Sequence, residues 1–164
     1  LDRQSQRVIE RALLGSSATL LLTAHDLHFA HRLCPRVLTM RAGRLTQSLP
    51  ENVFSGRAED GHLLTPGGLR ITLPNPAHAS GERIVVMVDP RSVVLSTEPL
   101  LSSMRNHFAG RVCSIQEEGP NVWVEVDCGE RLTAIVSKAS YEALGLNLHC
   151  ELVASFKAHA VEVL

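Results

Sequence analysis

Aromatic side chains are scarce in this chain of 164 residues: one Trp, one Tyr and four Phe, 4% of the total. The 45% hydrophobic content nevertheless suffices for one ordinary core or two small ones. Long apolar runs are missing as well. Nothing approaches the roughly 20 residues needed to span a bilayer, and the first residues form a charged amphipathic segment rather than a signal peptide. The expectation is a soluble, cytoplasmic chain. Nor is there an excess of either charge, since 16 Lys and Arg against 17 Asp and Glu leave a formal net charge of −1. This excludes a broad basic footprint for nucleic acid or a polybasic membrane contact, so any anion site must be built locally. The cysteines, Cys34, Cys113, Cys128 and Cys150, show no CxxC and no zinc-like spacing, which points to reduced, buried thiols.

What is present changes character along the chain. Asp2 is placed to cap a helix carrying Val8, Ile9, Ala12 and Leu13 on one face, with Gly15 to end it. TLLLTA (19–24) reads as a short strand covered on both faces, HDLHFAHRL as a helix, and RVLTMRAGRLTQ as a hairpin turning at Ala42-Gly43. A linker is expected at 46–51. Beyond it come short strands, ENVFSGRAE, HLLT, GLRITL and ERIVVMV, separated by Asp60-Gly61, Pro66-Gly67-Gly68 and PNPAHASG. A long hairpin follows, turning at EEGPN, with Val122, Val124, Val126 and Cys128 on one face. Ser137 is the N-cap of a short helix, Gly145 its C′ residue and Leu146 the closing apolar contact. Strands at 149–156 and 160–163 complete an OB-like barrel. The fold class expected is α+β, mainly β.

The segment TLLLTAHDLHFAHRL with RVLTMRAGRL resembles the C-terminal part of an ABC-transporter ATPase domain, from its D-loop through its switch-histidine loop. The resemblance implies that residues 1–48 are a partial α/β remnant of that domain. His25 would be the switch histidine and Asp2 a nucleotide and dimer contact, both in the intact parent. An imidazole at a strand end can hydrogen-bond a phosphate without a permanent charge. The chain contains no GxxxxGK[ST] and no acidic pair ahead of Asp2, so ATP hydrolysis by this chain alone is not expected; ATP and Mg belong to the parent. The histidines at 25, 28 and 31 supply no third ligand of good geometry, and no metal site is expected.

The remainder, including NVFSGRAE, LSSMRNHFAGRVCSIQEEGPNVWVEVDCG, LTAIVSKASYEALGL and FKAHAVEVL, resembles the regulatory region of molybdate and tungstate importer ATPases. That resemblance implies the first part of a TOBE-like region at 49–100 and a Mop-type oxyanion-binding barrel at 101–164. SSMRN stands where the family usually has Ser-Ala-Arg-Asn, and His159 follows Lys157-Ala158 where Ser or Thr is common. Carrying the family's site over gives Ser103, Arg105, Ser137, Ser140 and Lys157, with the backbone of Ala158. The chemistry is coherent, because a tetrahedral dianion needs directed donors and cations. Ser137 and Ser140 would meet at a helix N-terminus, while Arg105 and Lys157 would bring charge.

The reading is a regulatory portion of a molybdate or tungstate importer's ATP-binding subunit, with the oxyanion as regulatory ligand. The resemblance implies a homodimer beneath transmembrane permease subunits at the inner face of the membrane, served indirectly by an oxyanion-binding protein; no nucleic-acid partner is implied. The alternative is a TOBE-type protein-interaction tail of an importer ATPase for sulfate or a sugar, with no oxyanion binding.

Overall fold

RVLTMRAGRLTQ contributes two short strands, β1 (Thr39–Arg41) and β2 (Arg44–Thr46), paired antiparallel with Met40 opposite Leu45 as the hairpin reading requires. The computed structural model describes residues 12–13, 19–23, 30, 33–34, 38–41, 44–46, 52–76 and 78–164. They belong to two units, Leu1–Ser48 with Leu164, and Leu49–Val163. In the first, residues 12, 13, 30 and 33 are helical, where helices were expected. Residues 19–23, by contrast, form no strand, and Leu21 is 94% exposed. The expected buried strand is therefore corrected. A strand needs neighbours for its backbone groups, and among the described residues none pairs with this run.

The second unit is built from antiparallel strands. In chain order they are β3 (Asn52–Glu59), β4 (His62–Leu64), β5 (Arg70–Thr72), β6 (Arg83–Val88) and β7 (Val94–Ser96). Then follow β8 (Asn106–Glu118), β9 (Asn121–Asp127), β10 (Arg131–Ser137), the helix Lys138–Ala143, β11 (Glu151–Phe156) and β12 (Val161–Val163). One sheet has the order β12-β6-β3-β4-β5 and the other β10-β9-β8-β11-β7. Strand alternation sets the faces: Val122, Val124 and Val126 are buried while Trp123 and Glu125 are only partly so. The architecture is mainly β and OB-like, with one largely aliphatic core shared by both sheets, into which Phe54 and Phe156 are also packed.

An internal duplication underlies this arrangement. Asn52-Val-Phe-Ser-Gly-Arg57 opens β3, and Asn106-His-Phe-Ala-Gly-Arg111 opens β8. In each half a long strand is followed by a hairpin pair, a return strand (β6 or β11), a 3-10 turn (Pro90–Ser92 or Ala158–Ala160) and a last short strand. That last strand crosses over. β7 pairs with β11 and β12 pairs with β6, so each sheet is completed by the other half.

Two buried asparagines reinforce the exchange. Asn106 accepts from the Thr72 N–H at 2.7 Å and donates to the Thr72 carbonyl at 3.3 Å, satisfying the free edge of β5. Asn52 does the same for Thr133 on β10, the edge of the other sheet, at 2.6 and 2.8 Å. A primary amide presents a donor and an acceptor as a peptide does, so each substitutes for a missing neighbouring strand. The shared glycines have a packing reason. A Cβ on Gly110 would lie 2.6 Å from the Asp127 carbonyl oxygen, and one on Gly56 would overlap the Leu64 carbonyl.

A bulge in β8 between Val112 and Ser114 bends the strand. Asn106–Arg111 pair with β11, and the strand pairs with β9 from Arg111 onward, on both sides of the bulge. The bulge also turns Cys113 outward. Cys113 is exposed and the other three thiols are half-buried, which corrects the buried reading. Among the described residues no helix is long and apolar enough to cross a membrane.

Candidate oxyanion-binding site

β8 and β11 run antiparallel with Asn106 opposite Phe156, and both of these side chains point into the core. By strand alternation the next residues outward, Arg105 and Lys157, turn to the solvent face at adjoining strand ends. Neither has an ion-pair partner among the described residues, whereas Lys138 is held by Glu117 at 3.0 Å. Ser103 lies in the same exposed segment. Lys157 also leads into the 3-10 turn Ala158–Ala160, which brings the Ala158 backbone to the same end of the sheet.

The segment before β8 is pinned by a residue that sequence reasoning did not assign to the site. The His107 ring lies 2.8 Å from the Met104 carbonyl through Nε2 and 2.9 Å from the buried Ser155 hydroxyl through Nδ1. A carbonyl can only accept, so Nε2 carries the proton and donates; in the neutral ring Nδ1 then accepts from Ser155. Ser102 Oγ also accepts from the Met104 N–H at 3.2 Å. The loop carrying Ser103 and Arg105 is thus tied to β11 through His107 and closed on itself by the Ser102 hydroxyl. Its only sequence signal was the position of His107, two residues after Arg105 and on the same face of the strand.

The Ser137–Ser140 helix end lies elsewhere. Ser137 caps its helix as expected, accepting from the Ser140 N–H at 3.1 Å, with its hydroxyl 2.9 Å from that of Ser140. Gly145 has φ of 61° and Leu146 is buried, which completes the expected C-terminal arrangement. Register places Ser137 beside Asn121 and Glu118, at the far end of β8 from Arg105. Twelve residues of strand, about 40 Å of path, separate Asn106 from Glu118. One chain therefore brings together Ser103, Arg105, Lys157 and Ala158, and separately Ser137 with Ser140, but does not unite the two groups. The helix end is also less open than the sequence suggested: the Lys138 N–H donates to the Pro120 carbonyl at 3.2 Å, and the two hydroxyls satisfy each other. His25 and Asp2 lie outside the described residues.

Burial pushes the Cys128 thiol up to about 12, helped by the negative charge of Asp127, so this sulfur stays protonated at neutral pH. Burial also raises the Cys113 thiol, with Glu125 adding to it. Neither is an activated nucleophile.

Residues 102–163 of this mainly β, OB-like unit match the TOBE domain family. Over 165 aligned residues the chain is 33% identical to the molybdate/tungstate import ATP-binding protein WtpC of Pyrococcus abyssi, covering 88% of this chain and 47% of that protein. The WtpC of Thermococcus kodakarensis is 40% identical over 119 residues, covering 61% of this chain and 35% of that protein. The chain is thus a relative of the C-terminal part of molybdate/tungstate ABC-importer ATP-binding subunits, and it spans about half the length of the first of them. Among solved structures, a molybdate-bound form of the cytoplasmic molybdate-binding protein ModG superposes with a TM-score of 0.61 at 25% identity, covering 72% of this chain and 98% of that chain.

Proposed function

We propose that this chain is the regulatory portion of a molybdate/tungstate importer's ATP-binding subunit and that it binds the oxyanion it regulates. The observation that carries this reading is the pairing of Arg105 with Lys157 at adjoining strand ends, two cations without an ion-pair partner among the described residues, beside a loop that His107 ties to β11. Ser103 and the Ala158 backbone add donors at the same end. A dianion of tetrahedral shape satisfies both cations at once, and charge-assisted hydrogen bonds are the strong ones. The relatives' names and the molybdate-bound neighbour support the choice of anion.

Because the Ser137–Ser140 end is remote within one chain, the full site forms between two copies, with the cationic strand ends of one meeting the capped helix of the other. This accounts for regulation. The homodimeric parent works beneath its permease subunits at the inner face of the membrane, and an anion bridging two regulatory regions favours one placement of the ATPase domains. An anion that prefers the open arrangement slows uptake when the cytoplasm is replete. Coupling of about 1–3 kcal/mol corresponds to roughly 5- to 150-fold modulation. Thermal unfolding with molybdate, tungstate and sulfate tests the reading: a ligand at a hundred times its Kd adds about 2.7 kcal/mol of stability. A shift with molybdate or tungstate is expected. No shift with any oxyanion would favour the protein-interaction tail instead.

A further inference from the structure

The duplication supplies an internal control for one surface. In the second half, the arginine that closes the Asn-x-Phe-x-Gly-Arg motif, Arg111, stands opposite Glu151, the first residue of the return strand, and the two form an ion pair of 3.0 Å. At the matching position of the first half Arg57 stands opposite Arg83, the first residue of β6. Like charges directly opposite in an antiparallel pair are unfavourable. Neither guanidinium has an anionic partner among the described residues. The same row runs on through Leu64 to Arg70, so three arginines share one line across the outer face of this sheet.

This row borders an open cleft of about 690 Å³ whose walls include Arg57, Arg83, Ser55, Thr65, Ser80 and Gly81. Glu59 also lines it, two residues along β3 from Arg57 and on the same face, which confines the positive region to the Arg57–Arg83 end. Glu82, next to Arg83, is turned away: its carboxylate accepts from the Ala79 N–H at 3.1 Å and faces His78 at 3.5 Å. The cleft is far larger than a single tetrahedral ion, and its volume lies within the range for ligands of nucleotide size.

We propose that the Arg57–Arg83 pair is an anion site for a phosphate-bearing small molecule of nucleotide size, with the phosphate between the two guanidiniums and the hydroxyls of Ser55 and Ser80 at its side. Paired arginine forks suit phosphate oxygens, and the bound anion relieves the repulsion that the second half relieves with Glu151. This site is on the other sheet from Arg105 and Lys157, and it stands whether or not the chain binds molybdate.

The test is an NMR titration of the isotopically labelled chain with inorganic pyrophosphate and, separately, with ATP in the presence of a chelator. Saturating shifts at Arg57, Arg83 and Ser80 are expected from both probes. Tighter binding of ATP than of pyrophosphate is expected, because the cleft walls read more than the phosphates; equal affinity would overturn the nucleotide-sized ligand. Arg83→Glu recreates the ion pair of the second half, so it is expected to fold, with a Tm equal to or above that of the wild type, and to weaken both probes at least about tenfold. Arg57→Gln is the second variant, and it should weaken binding without a new ion pair. Absence of saturable shifts with either probe, or unchanged affinity in the two variants, would overturn the proposal.

Discussion

Replacing Asn106 with alanine removes one half of the reciprocal clamp. Its side chain is 1% exposed and makes two hydrogen bonds to Thr72, on the free edge of β5. Each bond contributes about 1 kcal/mol net, and leaving the Thr72 N–H without a partner beside the core adds about 1–3 kcal/mol, so the expected loss is about 3–5 kcal/mol. For a unit of this size that corresponds to a fall in Tm of roughly 10–20 °C. Asn106→Asp should be at least as harmful, because one carboxylate oxygen still accepts from the Thr72 N–H while the other faces the Thr72 carbonyl. Asn52→Ala should cost a similar amount, through Thr133. Denaturant unfolding of the three variants measures all of this. If Asn106→Ala and Asn52→Ala both unfold at the wild-type midpoint, the clamps do not hold the two halves together and the reasoning fails.

Gly110→Ala should destabilise by more than ordinary helix or strand propensity predicts, since the new Cβ meets the backbone of Asp127 at 2.6 Å; a wild-type Tm would show that the strands separate at no cost. Ser137→Ala removes the hydroxyl that accepts from the Ser140 N–H and should cost about 0.5–2 kcal/mol, while Ser140→Ala, which keeps the cap, should cost less. The Cys128 thiol is raised from 9.0 to about 12, so an unfolded thiol ionises before the native one does. Its contribution to stability is full below about pH 9 and is lost as pH rises toward 12. Wild type should therefore lose more stability than Cys128→Ala between neutral pH and the middle of that window, and parallel pH profiles would contradict this.

Much of the second unit was legible because period-two alternation survives in it. Val122, Val124 and Val126 are read as one face and are one face, and Ser137, Gly145 and Leu146 mark helix ends whose signals are local. The run at 19–23 was misread because a continuous apolar stretch says that a strand wants covering, not that a cover exists. The exchange of β7 and β12 was not legible, since it depends on which edge each short strand meets, and Val94–Ser96 is only three residues long. The duplication left a signal that could have been found: Asn-x-Phe-x-Gly-Arg recurs at 52–57 and 106–111. Arg105 and Lys157 were chosen by resemblance, and their adjacency follows from register. The distance from them to Ser137 could not be read from the chain, because it is set by the length of β8 and by the strand order around it.

Titration calorimetry of molybdate and tungstate into the chain, with Arg105→Ala and Lys157→Ala alongside, measures oxyanion binding at these strand ends. Each cation supplies a charge-assisted contact of about 1.5–3 kcal/mol, so each variant should bind at least about tenfold more weakly, with the fold unchanged because both side chains are exposed. Wild-type affinity in both variants, or no heat with either oxyanion in the wild type, would contradict the account.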